Sequence, residues 1–534
     1  MNSRMTPEQA KKLSAAEQHE WFRRVTSRRA LLRGGALGAG ALIAGPALLG
    51  GSAAAATRGR PARRGAPGLL TRADAPSGKV VPNVGRHVMF GADPATEMSV
   101  SWQTLAPVTT PFVRVGTSPA DLGPRIAADV RTLVTPTSDI TPIDSVPPSA
   151  PDTVTQYYVH AVVDKLTPGQ TYYYSVGNAQ SDPAAAVAVG SFTTAPASTG
   201  PFTFTAFGDQ GVTYDALGTS SLIRAQNPAF HLHAGDCSYA EDGGDGLITD
   251  PYDPRVWDSF FTTNEPTAGQ IPWQVGVGNH EMETWYSPDG YGGQYARWEF
   301  PGAPSSDTPP TYYSFVYGNV GVVALDPNDV SYEIPANFGY TNGAQTTWLG
   351  NTLKSLRANA KVDFIVVYFH HCAYSTCTAH GSEGGVRKYW TPLFDQYHVD
   401  LVINGHNHVY ERTDPIRGGK GNGRTPVGST ISAARQGTTY ITAGGAGESL
   451  YSFSAADSYE GHITNVGPIK TYVNESGGTQ TDETVNWSQI RYTGYCLVVV
   501  DSVPATTSGG TSKLNVHGLA ETGAELDRFT LTSS

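Results

Sequence analysis

Cysteine is scarce. The 534 residues hold four, Cys237, Cys372, Cys377 and Cys496, and no Cys-x-x-Cys pair. That excludes a zinc ribbon and a thioredoxin-type redox site. Charge is thin as well, at 16% of residues, and tilted toward acid, with 36 Lys and Arg against 47 Asp and Glu. General binding to nucleic acid or to anionic membranes is excluded by that balance. A phosphate-bearing ligand would need a local source of positive charge, which bound metal ions can supply. Beyond residue 56 no stretch is apolar enough to span a bilayer, so a soluble mature chain without stable membrane association is expected. No internal repeat is present. What the chain does have is glycine (60), proline (37) and tyrosine (27), a composition that favours turn-rich β structure over helical bundles. Its length predicts two or more domains.

The first 56 residues stand apart. Ser27-Arg28-Arg29-Ala30-Leu31-Leu32-Arg33 is a twin-arginine pattern, followed by an uncharged Gly/Ala/Leu stretch ending in Ala53-Ala54-Ala55-Ala56. The segment resembles a bacterial twin-arginine signal, which implies passage through the twin-arginine export machinery and a secreted or cell-wall-associated product. A membrane anchor fits less well, because the run is glycine-heavy and only modestly hydrophobic. Removing residues 1–56 leaves 28 basic and 44 acidic residues, a net charge of −16. The basic run from Arg58 to Arg72 reads as part of a flexible mature N-terminus, 57–77. In an exported chain Cys372 and Cys377 are expected to close a small disulfide loop, and Cys237 is expected to be a packing residue.

Residues 78–196 read as short strands. Met98-Ser99-Val100-Ser101-Trp102 alternates and ends in a core tryptophan, and Gln156–Val163 and Tyr172–Val176 follow. Leu166-Thr167-Pro168-Gly169-Gln170-Thr171-Tyr172 resembles the tyrosine corner of fibronectin type III sandwiches. Residues 135–153 are expected to form a loop, and Ser198-Thr199-Gly200-Pro201 a linker. From Phe202 to the C-terminus, 202–534, strands alternate with helix-like segments at Ser220–Ala225, Val256–Phe261 and Gln345–Arg357. That alternation predicts layered α/β structure with ligands at the carboxyl ends of strands. A hairpin with a Gly318-Asn319 turn within Tyr312–Asp326 points to mixed sheets. Thr439–Gly445 reads as a further strand, and Cys496–Asp501 with Leu514–Val516 as a terminal hairpin. Gly418–Arg435 and Asn474–Asn486 lack apolar periodicity and are expected to be loops.

The chemistry collects at five strand ends. They carry Gly208-Asp209-Gln210-Gly211, Gly235-Asp236-Cys237-Ser238-Tyr239, Gly278-Asn279-His280-Glu281, His370-His371 after Phe364–Phe369, and Gly405-His406-Asn407-His408-Val409-Tyr410-Glu411-Arg412. Each motif alone is weak: an Asp can cap a turn, an Asn can hold a left-handed one, a Tyr can simply pack. Five in order, rich in imidazole, carboxylate and phenol, suggest a two-metal centre.

This ordered set resembles the purple acid phosphatases, a branch of the calcineurin-like metallophosphoesterases. The resemblance implies a four-layer α/β (α+β) sandwich with mixed sheets, preceded by an all-β fibronectin III-like sandwich. It implies that Asp209, Tyr239 and His408 ligate Fe(III), that Asn279, His370 and His406 ligate a divalent Zn, Mn or Fe ion, and that Asp236 bridges the two. The implied reaction is acid hydrolysis of phosphate monoesters by a metal-bound hydroxide, with His280 and His380 as candidate proton donors to the leaving group. Two positions depart from the family pattern. Ala379 stands where a second histidine often precedes His380, and His371-Cys372 replaces a usual Ser-Pro. These departures bear on substrate preference and on the choice of proton donor, and His371 is either a neighbour facing away from the metals or a ligand or substrate contact in place of His370. The competing readings are a phosphodiesterase of the same superfamily and a non-catalytic surface or phosphate-binding protein.

Overall fold

The computed structural model describes residues 81–140, 153–181, 189–301, 311–458, 468–507 and 509–533. The twin-arginine leader and the 57–77 segment lie outside the described residues. Two four-stranded sheets form first. One runs in the order Asn83–Phe90, Met98–Thr104, Thr153–Val163, Asp129–Pro136; the other Arg125–Ala127, Phe112–Gly116, Thr171–Gly177, Gly190–Thr193. Trp102 is fully buried between them. The hydroxyl of Tyr172 accepts a hydrogen bond from the Thr167 amide at 2.9 Å, closing the corner over Pro168-Gly169.

Two seven-stranded sheets follow, and alternation explains how they stack. Along Phe364–Phe369, Val366 and Tyr368 pack into one core, with Phe230, Leu232 and Val498 of the other sheet. Ile365, Val367 and Phe369 point the other way, onto Leu349, Leu353, Trp390 and Phe394 of the covering helices. A strand buried on both faces must be a continuous apolar run, which is why these strands stand out in the sequence. The helices Tyr214–Gln226 and Arg255–Ala268 accompany the first sheet, and Ala344–Ala358 covers the second. The order helix, sheet, sheet, helix is the expected four-layer arrangement.

Strand direction positions the site. Phe202–Phe207, Phe230–His233 and Trp273–Val275 are mutually parallel in the first sheet. Val320–Ala324, Phe364–Phe369, Leu401–Asn404 and Thr439–Ala443 are parallel in the second. Antiparallel partners, Tyr313–Tyr317 on one and Cys496–Val503 on the other, make both sheets mixed. Parallel strands send all their carboxyl ends to one side, so five chemistry-bearing turns meet there.

The sandwich docks on the helix Arg255–Ala268. His87 stacks on Phe261 with ring centroids 4.6 Å apart, and the amides of Gln103 and Gln156 donate to Asp258 Oδ1 at 2.8 and 2.7 Å. Tyr174 donates to the Gly269 carbonyl at 2.7 Å.

Three expectations are corrected. Residues 474–486 are not a loop: Ile469–Glu475 and Thr479–Val485 form a hairpin. Its second strand, Thr-Gln-Thr-Asp-Glu-Thr-Val, is mostly exposed, so main-chain pairing and β-branched residues define it without apolar alternation. Within 418–435, short strands at Lys420–Gly421 and Thr430–Ile431 interrupt the loop. The disulfide between Cys372 and Cys377 is not formed; all four cysteines are free and buried. The Cys372 thiol instead donates to the Gly405 carbonyl at 3.0 Å, beneath the turn that carries His406. Burial pushes that thiol up to about 12.

Candidate metal centre

The turns are tight, and their backbone is unusual. Asp209, Asp236, Tyr239 and His406 have φ of 63°, 53°, 59° and 67°, in the left-handed region that residues with a Cβ seldom enter. Each such residue costs about 1–3 kcal/mol and persists only where its surroundings enforce it. Here they do. The Asp209 carboxylate accepts the His406 amide with both oxygens, at 3.0 and 2.8 Å. Asp236 Oδ1 accepts the His280 amide at 2.9 Å. Glu281 accepts the amides of Asp236, Cys237 and Gly278 at 2.7–2.8 Å, pinning one turn to another. The glycines leave room for this: a Cβ on Gly278 would lie 2.1 Å from Asp236 Oδ1, and one on Gly405 2.5 Å from Asp209 Oδ2.

All seven residues expected to be ligands are buried, and six of them meet in two groups. Asp236 Oδ2 lies 3.0 Å from His370 Nε2, which lies 3.2 Å from His406 Nδ1. Tyr239 Oη lies 3.0 Å from His408 Nε2 and 3.2 Å from Asp209 Oδ1. His370 Nε2 also stands 3.8 Å from Asp209 Oδ1, so the groups adjoin.

Protons on the imidazoles are directed outward. His370 Nδ1 donates to the Ala234 carbonyl at 2.9 Å and His408 Nδ1 to the Ser449 carbonyl at 2.7 Å, while His406 Nε2 donates to Glu333 Oε2 at 3.1 Å. Each ring therefore turns a lone pair inward, the tautomer that metal binding requires. Asn279 behaves alike: its Nδ2 donates to the Gly244 carbonyl at 3.0 Å and its buried Oδ1 has no hydrogen-bond partner. Inward lone pairs this close repel one another unless a cation lies among them. The donor set fits metal ions on that ground.

Electrostatics agree. Burial opposes charge on His370, but Asp236 and then Asp209 overcome it and lift the imidazole to about 9, so a proton competes with a metal ion for its inward nitrogen. The same carboxylates would attract metal ions. Burial, then Asp209 and Asp236, push Tyr239 well above the ordinary phenol range, so a phenolate there requires a strong positive charge beside it.

The proposed proton donors occupy the cleft above. This cleft of about 600 Å³ is lined by Asp236, Asn279, His280, His380, His406 and His408, with Asp242, Asp245, Glu333, Glu448 and Tyr451 nearby. His280 Nδ1 donates to the Glu241 carbonyl at 2.6 Å, and Nε2 lies 3.8 Å from Asp236 Oδ2. His380, partly exposed, donates from Nδ1 to Glu333 Oε1 at 2.7 Å. His371 is buried, its centroid 4.3 Å from that of His406, and both of its nitrogens lack partners. Burial holds it well below the usual histidine range. His370, not His371, faces the two aspartates.

Sequence reading missed Glu333, Glu281 and Tyr451 as members of this site. Glu281 was inside a motif, so its role as a turn clamp was within reach. Tyr451 stacks on His408 with centroids 4.1 Å apart, and nothing local in the sequence marks it. In the last motif Glu411 and Arg412 point away from the metal side. Glu411 accepts from Ser375, Thr376 and Ser488, and Arg412 pairs with buried Asp527.

Comparisons with known proteins bear on the same residues. The family model described as the purple acid phosphatase N-terminal domain matches residues 84–194, and that of the calcineurin-like phosphoesterases matches 202–410. An uncharacterized protein of Mycobacterium tuberculosis is 32% identical over 489 residues, covering 84% of this chain and 87% of its own length. Purple acid phosphatase 21 of Arabidopsis thaliana is 33% identical over 275 residues, 51% of this chain and 57% of that protein. A purple acid phosphatase isolated from yellow lupin (Lupinus luteus) seeds has the same fold, with a TM-score of 0.61 at 19% identity, over 85% of this chain and 74% of that one. With both family models matched in order along one chain, and the five motif turns gathered at the carboxyl ends of strands from both seven-stranded sheets, this protein belongs to the purple acid phosphatases.

Proposed function

We propose that the protein is an exported acid phosphatase that hydrolyses phosphate monoesters at a dinuclear centre of Fe(III) and a divalent Zn, Mn or Fe ion. The observation that supports this most is the inward set of lone pairs: three imidazoles, each with its other nitrogen tied outward, beside Asn279 Oδ1 and two carboxylates. Asp209, Tyr239 and His408 would hold the trivalent ion, and Asn279, His370 and His406 the divalent one, with Asp236 between. Carboxylate and phenolate suit a hard trivalent ion, whereas imidazole and a neutral amide leave the second position less charged. When bound, such ions offset phosphate charge and acidify a water molecule.

This chain's own residues supply the rest. Among the described residues no Lys or Arg lines the cleft, so a bound phosphate finds its positive charge at the centre and at histidine. Hydrolysis breaks the ester P–O bond, joins a water oxygen to phosphorus and returns a proton to the departing oxygen. His380 and His280 stand on the cleft wall to give that proton. Export through the twin-arginine route belongs to the same proposal. That route carries folded proteins, so the centre could be loaded before transport.

The test is metal analysis together with a panel of monoesters and diesters on purified protein. Iron with one divalent ion and a clear monoester preference are expected. A preference for diesters would select the phosphodiesterase reading, and metal-replete protein inert toward all esters would select a binding role.

A further inference from the structure

Glu333 belongs to none of the five motifs, yet it touches two of the histidines the reaction would use. It sits in the irregular segment after the strand Val320–Ala324. Its Oε1 accepts from His380 Nδ1 at 2.7 Å and its Oε2 from His406 Nε2 at 3.1 Å. The rings of His380 and His406 lie 4.0 Å apart at an interplanar angle of 33°, so one carboxylate spans a pair of closely packed, tilted imidazoles.

The carboxylate is itself held. Asn474 Nδ2 donates to Oε2 at 3.0 Å and to the His380 carbonyl at 2.7 Å, tying together the segment, the histidine loop and the hairpin Ile469–Glu475. Beneath it, buried Glu383 accepts from the Tyr332 and Glu333 amides at 2.8 and 3.1 Å and from Ser331 Oγ at 3.1 Å. The backbone of 331–333 is thus fixed from one side and the side chain from the other.

We propose that Glu333 is a positioning residue. It fixes His406 with its Nε2 proton outward and Nδ1 turned toward His370 and Asp236. It also orients His380 so that Nε2, 3.5 Å from Tyr451 Oη, is the atom presented to the cleft. A carboxylate behind a ligating imidazole sets its tautomer and raises its basicity, and losing such a partner costs about 10–100-fold in metal affinity or activity. The inference rests on the phosphoesterase reading for His380, but not for the tautomer of His406.

The test uses the full-length protein and the near-isosteric Glu333→Gln, whose single acceptor oxygen serves one imidazole at most. Two readouts are needed. First, chelator competition on the metal-loaded protein: the variant is expected to release one ion at about 10–100-fold lower chelator, with an unchanged circular dichroism spectrum. Second, turnover at saturating metal on two monoesters, p-nitrophenyl phosphate, whose leaving group needs little protonation, and glycerol phosphate, whose alkoxide needs a proton. kcat on glycerol phosphate is expected to fall at least tenfold more than on p-nitrophenyl phosphate, with KM within about threefold of wild type, because a misaligned donor harms mainly the poor leaving group.

Equal losses on both esters, or wild-type chelator resistance, overturn the proposal. So does a third ion carried by wild type and absent from Glu333→Gln at saturation, which would make Glu333 a ligand. If wild-type protein hydrolyses no phosphate ester, the phosphoesterase reading fails by itself. The chelator comparison then still decides whether Glu333 holds His406.

Discussion

A phosphatase proposed to act in acid must keep its two domains docked there, and His87 makes that testable. Its ring is 1% exposed, stacked on Phe261 and edge-on to Trp298, between the carbonyls of Gly85 at 2.9 Å and Arg297 at 3.1 Å. Burial outweighs both carbonyls and lowers the imidazole to about 4 from 6.5. The sign follows from proton counting. Below pH 6.5 the unfolded chain takes up a proton that the folded one refuses until about pH 4, so acid favours unfolding throughout that window and has no effect above it. At about 1.4 kcal/mol per pH unit, His87 costs about 2 kcal/mol at pH 5 and about 3 kcal/mol by pH 4. His160, at the same interface and also held low by burial, adds a separate contribution that the comparison below cancels. The perturbation is His87→Gln, which keeps a hydrogen-bond donor but cannot titrate. Urea unfolding of both proteins, followed by tryptophan fluorescence from pH 7.5 to 4.5, gives the difference in stability at each pH. That difference should move in favour of the variant by about 2 kcal/mol between pH 7.5 and 5. A difference flat across this range would refute a buried neutral histidine at the interface.

Four further outcomes are expected. Asp236→Asn should cost more turnover than His380→Ala, because it removes a charge facing both groups of ligands, whereas a proton donor is worth about 10²–10⁴ in rate; near-normal turnover with full metal content would disprove the bridge. Metal analysis of His370→Ala should show loss of the divalent ion while His371→Ala retains it, and the reverse result would exchange their roles. Oxidised wild-type protein should be pink or purple through phenolate-to-iron charge transfer, and Tyr239→Phe bleached; active yet colourless, iron-free wild type would contradict the ferric assignment. Replacing Arg28 and Arg29 together by lysine should abolish secretion while leaving phosphatase activity in the cytoplasm, and undiminished secretion would rule out the twin-arginine route.

What could be read in advance followed strand chemistry. Phe364–Phe369 and Leu401–Asn404 are buried on both faces, so their composition announces them, and the ligands follow directly at their carboxyl ends. The tyrosine corner was legible because Pro168-Gly169 and Tyr172 act within a few residues of one another. Glu333 was not, since its meaning comes from His380 and His406, 47 and 73 residues away. The hairpin at 469–485 escaped because its outer strand is solvated and polar. The Cys372–Cys377 disulfide was wrong because spacing says nothing about direction: Cys372 turns inward under Gly405.

The least legible feature is the one the centre depends on. Left-handed backbone is commonly signalled by glycine or asparagine, yet Asp209, Asp236, Tyr239 and His406 adopt it while keeping the side chains their chemistry needs. At about 1–3 kcal/mol each, four such residues cost as much as a domain's whole net stability. Only surroundings that over-determine the turns can hold them. The Asp209 carboxylate locks the His406 amide from another sheet, Glu281 locks the amides of Asp236 and Gly278, and Gly405 and Gly278 let these groups approach. Strain and clamp lie on different turns, far apart in sequence, so neither can be seen in a single motif. The five motifs are therefore one unit: each turn's conformation is enforced by a residue of its neighbour, and ions bound among them would draw on the same carboxylates that already hold the turns.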